Sequence, residues 1–162
     1  MKDQVHPRRV LFVCLGNICR SPTAEAVCRT MAQDRGIPLV VDSAGTGGYH
    51  IGSPPDPRSA AAAARRGYSF DGIRARQVSA RDFAQFDYVL AMDRSNLRAL
   101  ELLCPAEYRH KLDLLLAHGR EAVEEVPDPY YGGPKGFERV LDLIEDGCHG
   151  LLARIEREGN AA

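Results

Sequence analysis

The pattern of apolar and polar positions along the chain predicts strands and helices that alternate. Residues 10–13 form an apolar run without a polar break, which is typical of a strand buried on both faces of a parallel sheet. Ser21 and Pro22 then begin a helix whose apolar positions recur at helical spacing until it ends near Gly36. A second strand is predicted over residues 38–42, which completes a βαβ unit.

The middle of the chain carries helix boundary signals. Asp56 is placed as an N-cap, Pro57 as the first helical residue, and Gly67 just after the end of the same helix. Ser79 and Asp82 resemble a capping box before a short helical segment. Residues 43–57 hold four glycines and three prolines and form the longest predicted loop, and a loop of that length in a compact domain is often functional.

The last third of the chain continues the alternation. We predict a third strand over residues 88–92 and a helix that Asp93 caps and that continues through Leu103. Residues 112–117 fit either a strand or a helix, and we favour a short fourth strand. The remaining apolar positions form one long helix, in which Gly147 and Gly150 should each cost about 1 kcal/mol relative to alanine. The alternation predicts a doubly wound α/β sheet with helices on both faces.

Composition limits the function classes. A hydrophobic content of 44%, a charged content of 27% and a net charge of −1 are ordinary for a soluble protein, and they predict attraction to neither nucleic acid nor membrane. No apolar run approaches 18 residues and the N-terminus lacks an apolar core, so we expect no signal peptide or membrane span, and a cytoplasmic location. The five cysteines are expected to be reduced thiols.

The segment VLFVCLGNICRSPT, residues 10–23, carries the chemistry. Gly16 and Asn17 tolerate positive φ and allow a tight loop between the first strand and the first helix. Backbone N–H groups of such a loop, with those of the first helical turn, converge on a point where an anion binds. Cys14 and Arg20 should flank that point. The helix end, the amides and Arg20 should stabilise a thiolate on Cys14, and the Arg20 guanidinium matches two phosphoryl oxygens.

The loop CLGNICRS, which contains Cys14 and Arg20, resembles the phosphate loop of the low-molecular-weight protein tyrosine phosphatases, with the spacing CX5R. Far downstream, the segment DPYYG that begins at Asp128 is similar to the general-acid loop of that family. Residues 42–46, 52–58, 75–77 and 92–93 are similar to family sequence in the same order. The resemblance covers nearly the whole chain and implies one domain over residues 1–162, with a four-stranded parallel sheet and the phosphate loop after the first strand.

The resemblance also implies an activity and three catalytic residues. Cys14 is expected to be the nucleophile that forms a cysteinyl-phosphate intermediate, and Arg20 to bind the substrate and stabilise the transferring phosphoryl group. Asp128 is expected to be the general acid and base. The expected substrates are phosphotyrosine proteins and small aryl phosphates, and a cognate tyrosine kinase is a candidate substrate. No metal or other cofactor is implied, since Arg20 and the amides supply the charge stabilisation.

Further residues are expected to contact the substrate or to shape its site. They are Leu15, Gly16, Asn17, Ile18, Cys19, Ser21, Tyr49, Tyr130 and Tyr131. The three tyrosines lie in segments rich in glycine or proline and are placed as walls of a slot for a phenyl ring. Surface tyrosines that close loops are an equally good interpretation of any one of them.

Several of these residues also have purely structural interpretations. Ser21 is a preferred N-cap residue whatever the function, although its hydroxyl could instead donate to the sulfur of Cys14. Asp128 before a proline is typical of an ordinary turn. Cys19 fits a small buried hydrophobe, whereas the resemblance implies a reversible, protective disulfide with Cys14. Ile73 departs from the family pattern, because relatives often carry there a histidine that helps to hold the loop serine.

Three other functions remain open from the sequence. Arsenate reductases use a similar loop, but they relay oxidation through further paired cysteines, whereas Cys28 and Cys148 fall on apolar helix faces and Cys104 stands alone. A phosphoanion-binding protein would need the loop but not the thiolate. A metal site built on the CxxxxC spacing of Cys14 and Cys19 is a weaker hypothesis, because the chain offers no second closely spaced pair of cysteines.

Overall fold

The computed structural model describes residues 6–130 and 133–160, and its centre is a sheet of four strands. The strands are β1 (Arg8–Cys14), β2 (Leu39–Gly45), β3 (Tyr88–Ala91) and β4 (Leu112–Leu114). They are hydrogen-bonded in the order β2-β1-β3-β4, and every pair is parallel. The predicted four-stranded parallel α/β sheet is therefore confirmed.

The described ranges contain five α-helices and two short 3-10 helices, and the last α-helix follows all four strands. The α-helices are α1 (Arg20–Asp34), α2 (Pro57–Ala64), α3 (Ala80–Gln85), α4 (Arg94–Leu103) and α5 (Pro134–Asn160), and the 3-10 helices cover Ala106–Lys111 and Leu115–His118. The predicted caps at Asp56, Ser79 and Asp93 are confirmed. The carboxylate of Asp56 accepts from the N–H of Arg58, and that of Asp93 accepts from the N–H of Asn96. A capping box joins Ser79 and Asp82 at the start of α3.

Predicted boundaries are wrong in three of the strands. Strand β2 begins one residue later than predicted and continues to Gly45, because it pairs with β1 along its whole length up to the pair Cys14 and Gly45. The predicted loop over residues 43–57 is shorter for the same reason. Strand β3 ends at Ala91. Strand β4 stops at Leu114, because the next four residues turn into a 3-10 helix instead of extending the strand to residue 117.

Two glycines of α5 allow a close approach that helical spacing does not reveal. A Cβ atom at position 147 would lie 2.7 Å from Cγ of Leu115, and one at position 150 would overlap the backbone carbonyl of His118. The 3-10 helix Leu115–His118 therefore contacts α5 directly through its backbone. Gly147 and Gly150 lower the stability of the helix relative to alanine, but they also permit this close packing.

From Val10 to Cys14, strand β1 is buried on both faces, as its unbroken apolar run predicts. Val10 and Phe12 belong to one hydrophobic cluster with residues of α1 and α5. Leu11 and Val13, which point to the opposite face, belong to a second cluster with residues of α3 and α4. Because side chains of a strand alternate between its faces, residues 10–14 lie between two helical layers, and only Arg8 and Arg9 at the start of the strand are not buried.

The strand order places a crevice next to β1. The chain leaves β1 for β2 on one side and later returns to β3 on the other, so the connections diverge at the carboxyl ends of β1 and β3. In open α/β sheets such a switch point is the usual place for a ligand. Cys14 ends β1 and Asp93 follows β3 by two residues, so both lie at this crevice.

In the two ranges that the structure describes, no helix has both the length and the apolar character needed to cross a membrane.

Candidate active site

Cys14 is the last residue of β1 and is only 3% exposed. Its Sγ accepts a hydrogen bond from the backbone N–H of Asn17 at 3.3 Å. The Oγ of Ser21 lies 3.0 Å from the same sulfur. Two polar hydrogens can therefore point at the sulfur, which is the arrangement that stabilises negative charge on it.

The loop after Cys14 has a fixed backbone conformation. Asn17 adopts φ +58°, in the left-handed region that asparagine tolerates better than most residues. The N–H of Thr46 donates to the carbonyl of Cys14, and the N–H of Gly47 donates to the carbonyl of Leu15, both at 2.9 Å. A Cβ atom on Gly45 would lie 2.7 Å from the carbonyl oxygen of Leu15, so the loop packs against a glycine at the end of β2.

A buried network of polar side chains supports this loop from below. Nδ2 of Asn17 donates to Oγ of Ser21 at 2.8 Å and to Oγ of Ser43 at 3.0 Å, and its Oδ1 accepts from the N–H of Arg76 at 2.9 Å. Ser43 in turn donates to Oε1 of Glu25 at 2.6 Å. Because buried polar groups are costly unless they are paired, this network favours one loop conformation.

The interpretation of Ser21 as the N-cap of α1 is wrong. The helix begins at Arg20, its N-cap is Cys19, and that cap makes no side-chain hydrogen bond. Ser21 lies inside the first turn, with its hydroxyl directed at Cys14 and Asn17. The hydrophobic side chain of Ile73 is buried and cannot donate to Ser21, so Asn17 is the side-chain nitrogen that holds the serine hydroxyl here.

Arg20 is a buried cation that several anions stabilise. Its Nη1 donates to Oδ2 of Asp93 at 2.7 Å and to the carbonyl of Val126 at 3.0 Å, and its Nη2 lies 3.7 Å from Oδ2 of Asp128. Burial lowers the pKa of Arg20, but the negative charges of Cys14, Asp93 and Asp128 outweigh burial and raise the pKa above its ordinary value. The guanidinium therefore stays charged although its side chain is only 4% exposed.

Asp128 lies in an extended segment between β4 and α5. The N–H of Val126 donates to the carbonyl of Met92, which fixes the segment to the end of β3. Oδ1 of Asp128 accepts from the N–H of Tyr130 at 3.0 Å, while the side chain remains 49% exposed. The carboxylate is thus oriented by the backbone and is also open to the cleft.

A cleft of about 240 Å³ joins these residues. Its lining consists of Cys14, Leu15, Gly16, Ile18, Cys19, Arg20, Tyr49, His50, Asp128 and Tyr130. All three predicted catalytic residues and most of the predicted substrate-binding residues therefore lie together. Asn17 and Ser21 do not line the cleft, because they are buried behind the loop. Tyr131 lies outside the described residues.

Sequence reasoning missed two residues of the site. His50 lines the cleft, and its ring lies close to Gly16, where a Cβ atom would be 3.1 Å from it. Asp93 was predicted only as a helix cap, yet its carboxylate also holds Arg20. The position of Asp93 directly after a central strand was a signal that it lies at the crevice, whereas nothing in the sequence distinguished His50 from the other histidines.

The cysteines differ in their access to the cleft. Cys19 lines it, but burial, aided by the negative charges of Asp56, Cys14 and Asp128, outweighs a hydrogen bond from Ser59 and raises the pKa of Cys19 to about 12. Cys28 and Cys148 are fully buried in the cluster between α1 and α5, where burial raises the pKa of Cys148 well above its ordinary value. All five cysteines are free. In the part of the chain that the structure describes, the thiols of Cys28 and Cys148 contact each other, but this pair lies in the core and does not line the cleft, so it is not placed to relay oxidation from Cys14.

Comparison with known proteins identifies relatives over nearly the whole chain. A family model described as low molecular weight phosphotyrosine protein phosphatase matches residues 9–161. The low molecular weight protein-tyrosine-phosphatase YfkJ of Bacillus subtilis is 47% identical over 152 residues, which are 92% of this chain and 96% of that protein. The human low molecular weight phosphotyrosine protein phosphatase is 43% identical over 155 residues, which are 91% of this chain and 95% of the human one.

Solved structures agree with these matches. The crystal structure of a protein tyrosine phosphatase from Entamoeba histolytica, with Hepes in its active site, superposes with a TM-score of 0.91 at 43% identity and covers 94% of this chain and 99% of that one. The crystal structure of YfkJ from Bacillus subtilis gives a TM-score of 0.88 and covers 96% of this chain and 99% of that one. Sequence and fold thus point to the same relatives.

Proposed function

The chain belongs to the low molecular weight phosphotyrosine protein phosphatases, a family of hydrolases, and from this premise we propose that it hydrolyses phosphotyrosine and aryl phosphomonoesters through a cysteinyl-phosphate intermediate. One observation carries the proposal. The sulfur of Cys14 lies in the cleft lining together with Arg20 and Asp128, and it is in contact with Ser21 and the N–H of Asn17. A nucleophile, a cation and a proton donor thus surround one space.

In the first step, the thiolate of Cys14 attacks phosphorus and forms the S–P bond while the bond from phosphorus to the aryl oxygen breaks. The proton of the Asp128 carboxyl passes to that oxygen, so the phenol leaves neutral. The Nη1 atom of Arg20 is already occupied by Asp93 and Val126. The edge formed by Nε and Nη2 is therefore the one that meets two oxygens of the phosphoryl group.

In the second step, water attacks phosphorus and gives a proton to the carboxylate of Asp128. The S–P bond breaks, inorganic phosphate is formed, and Cys14 leaves as a thiolate. The hydroxyl of Ser21 lies 3.0 Å from the sulfur and donates to it as its negative charge returns. Asn17 prevents the hydroxyl from turning away, because its Nδ2 donates to the same oxygen.

The substrate class follows from the rim of the cleft. Tyr49 is 76% exposed and lines the cleft together with Tyr130 and Leu15. Such apolar surfaces suit the flat ring of a phosphotyrosine better than the short side chain of a phosphoserine. The proposed physiological substrate is a protein that carries phosphotyrosine. An autophosphorylated tyrosine kinase is one candidate.

The test is hydrolysis of p-nitrophenyl phosphate at mildly acidic pH in EDTA, with the wild type and the Cys14→Ser variant side by side. Turnover that persists in the chelator and is lost in the variant supports the proposal. Cys28→Ser is the matched control, because that thiol is buried in the core away from the cleft, and it should retain activity. Equal turnover by Cys14→Ser and wild type would refute the proposal.

A further inference from the structure

Arg58 does not line the cleft, yet it lies between the phosphate loop and the loop that carries Asp128. We propose that Arg58 is a positioning residue that holds the Asp128 loop over Cys14 by fixing the ring of Tyr130. The inference rests on the proposed role of Asp128 as general acid. It concerns a residue that never touches the substrate.

Arg58 is held in place by the carboxylate of Asp56. Its guanidinium forms a bidentate pair with Asp56, with Nε at 3.1 Å from Oδ1 and Nη2 at 2.9 Å from Oδ2. Asp56 is buried, and its backbone N–H donates to the carbonyl of Ile18 at 2.8 Å. Since Ile18 belongs to the phosphate loop, the guanidinium is fixed relative to the residues that surround Cys14.

The guanidinium of Arg58 also contacts two aromatic rings. Its central carbon lies 5.3 Å from the ring centroid of Tyr130 and 5.0 Å from that of Phe137. Phe137 is buried near the start of α5, so it is part of the core. A cation over two aromatic rings attracts both of them. Here the ring of Phe137 is buried in the core, and the ring of Tyr130 belongs to the Asp128 loop.

The contact reaches Asp128 through one hydrogen bond. The N–H of Tyr130 donates to Oδ1 of Asp128 at 3.0 Å, so the position of Tyr130 fixes the orientation of the carboxyl group. On the N-terminal side of Asp128, buried Val126 already anchors the loop to β3. Arg58 supplies an anchor on the C-terminal side through the ring of Tyr130. A general acid misplaced by about 1 Å loses much of its effect, so this anchor should matter most for proton transfer. Tyr130 also lines the cleft, so a change in binding of the aryl ring should affect different phenyl phosphates equally.

The experiment compares two phenolic leaving groups in the Arg58→Met variant. Helix α2 keeps its cap, because Asp56 still accepts from the backbone N–H of residue 58. We expect kcat/KM to fall about tenfold for phenyl phosphate, whose leaving group needs a proton, and less than about twofold for p-nitrophenyl phosphate. Arg58→Lys, which keeps the charge but not the bidentate pair, should give a loss between those of Arg58→Met and the wild type.

The control is Arg65→Met. Arg65 lies at the other end of α2 and pairs with Glu138 of α5 at 3.1 Å, so this change removes an inter-helix ion pair without touching the rings. It should lower kcat/KM for both substrates by less than about twofold, since an exposed pair contributes little. An equal loss in Arg58→Met and Arg65→Met would overturn the inference.

A parallel Asp128→Asn variant separates the two proposals. If Asp128→Asn loses activity selectively on phenyl phosphate and Arg58→Met does not, only the positioning role fails. If Asp128→Asn shows no such selectivity, the general-acid proposal fails and the positioning role fails with it. If both variants are selective, the double variant should be informative. Adding Arg58→Met to Asp128→Asn should lower kcat/KM for phenyl phosphate by less than a further factor of about two, because the two residues act through one proton transfer.

Discussion

The carboxylate of Asp93 lies 2.7 Å from Nη1 of Arg20, so the cation of the cleft is held by the residue that begins the connection after β3. The same carboxyl group caps α4, because its other oxygen accepts from the N–H of Asn96 at 2.8 Å. One side chain thus fixes both a helix and the guanidinium. A charge-assisted hydrogen bond of this kind contributes about 1.5–3 kcal/mol, enough to select one guanidinium orientation.

The Asp93→Asn variant separates these two functions of Asp93. Asparagine caps a helix as well as aspartate does, so the free energy of unfolding should fall by no more than the about 1.5–3 kcal/mol that the charged bond to Arg20 contributes. Arg20 loses the negative charge that orients its Nη1 edge, and we expect kcat/KM for p-nitrophenyl phosphate to fall about tenfold. Steady-state kinetics and calorimetry check both parts. An unchanged kcat/KM would mean that Arg20 is oriented without Asp93.

The Ser21→Ala variant should slow breakdown of the intermediate more than its formation. Without the hydroxyl at 3.0 Å, the departing sulfur of Cys14 loses a hydrogen-bond donor. The expected result in stopped-flow experiments is a clear burst of p-nitrophenol followed by a steady rate reduced roughly tenfold or more.

Ser43→Ala is the control for Ser21→Ala. Ser43 bonds to Asn17 and Glu25 but makes no contact with the sulfur among the described residues, so its loss should affect the steady rate less. A Ser21→Ala enzyme with the burst and turnover of the wild type would rule out the role of the hydroxyl.

Oxidation of the cleft should depend on pH through Cys19. Peroxide converts the Cys14 thiolate to a sulfenic acid, and the Cys19 thiolate must then displace hydroxide from that sulfur to form the disulfide that the family resemblance implies. Because the pKa of Cys19 is raised to about 12, this residue is almost entirely protonated at neutral pH. Its thiolate fraction grows about tenfold for each pH unit up to that pKa.

We therefore expect that, of the oxidised protein, a small fraction carries the Cys14–Cys19 disulfide at pH 7 and a larger fraction carries it at pH 9. The rest should carry sulfinic or sulfonic acid on Cys14. Peptide mass spectrometry after peroxide treatment measures both products, and Cys19→Ala is the control that cannot form the bridge. Complete formation of the disulfide at pH 7 would contradict the raised pKa of buried Cys19. The absence of any bridge at either pH would remove the disulfide hypothesis.

The stability of the fold should be sensitive to one glycine of α5. Alanine at position 150 would overlap the carbonyl of His118, and we expect it to lower the free energy of unfolding by about 3 kcal/mol. Gly159→Ala is the matched control in the same helix, because a Cβ atom there meets nothing within 4 Å. It should be neutral or stabilise the protein by up to about 1 kcal/mol. Urea denaturation measures both, and a Gly150→Ala protein as stable as Gly159→Ala would contradict the packing argument.

The parts of the site that the sequence predicts are those with local causes. The apolar run of β1, the loop after Cys14 and the boundary residues Asp56 and Asp93 are defined by neighbours in the chain, and the strand and the helix caps are confirmed. Ser21 shows the limit of such reasoning. Serine near a helix start is usually a cap, but here the helix begins one residue earlier and the hydroxyl turns to the sulfur.

The remaining parts depend on contacts between distant segments. Asp93 and Arg20 are 73 residues apart, and Asn17 accepts from a backbone N–H that is 59 residues away. No spacing rule connects such pairs, because their proximity follows from the order of the strands in the sheet. The contact between Arg58 and the ring of Tyr130 is of the same kind.

The most direct test of the account is detection of the phosphorylated enzyme. Wild-type protein mixed with p-nitrophenyl phosphate is quenched on the millisecond scale, digested and analysed by mass spectrometry, with Cys14→Ala as the control. The account predicts a phosphoryl group on the peptide that contains Cys14 in the wild type and on no peptide in the variant. Turnover by the wild type with no phosphorylated Cys14 at any quench time, or a phosphoryl group on another residue, would contradict it.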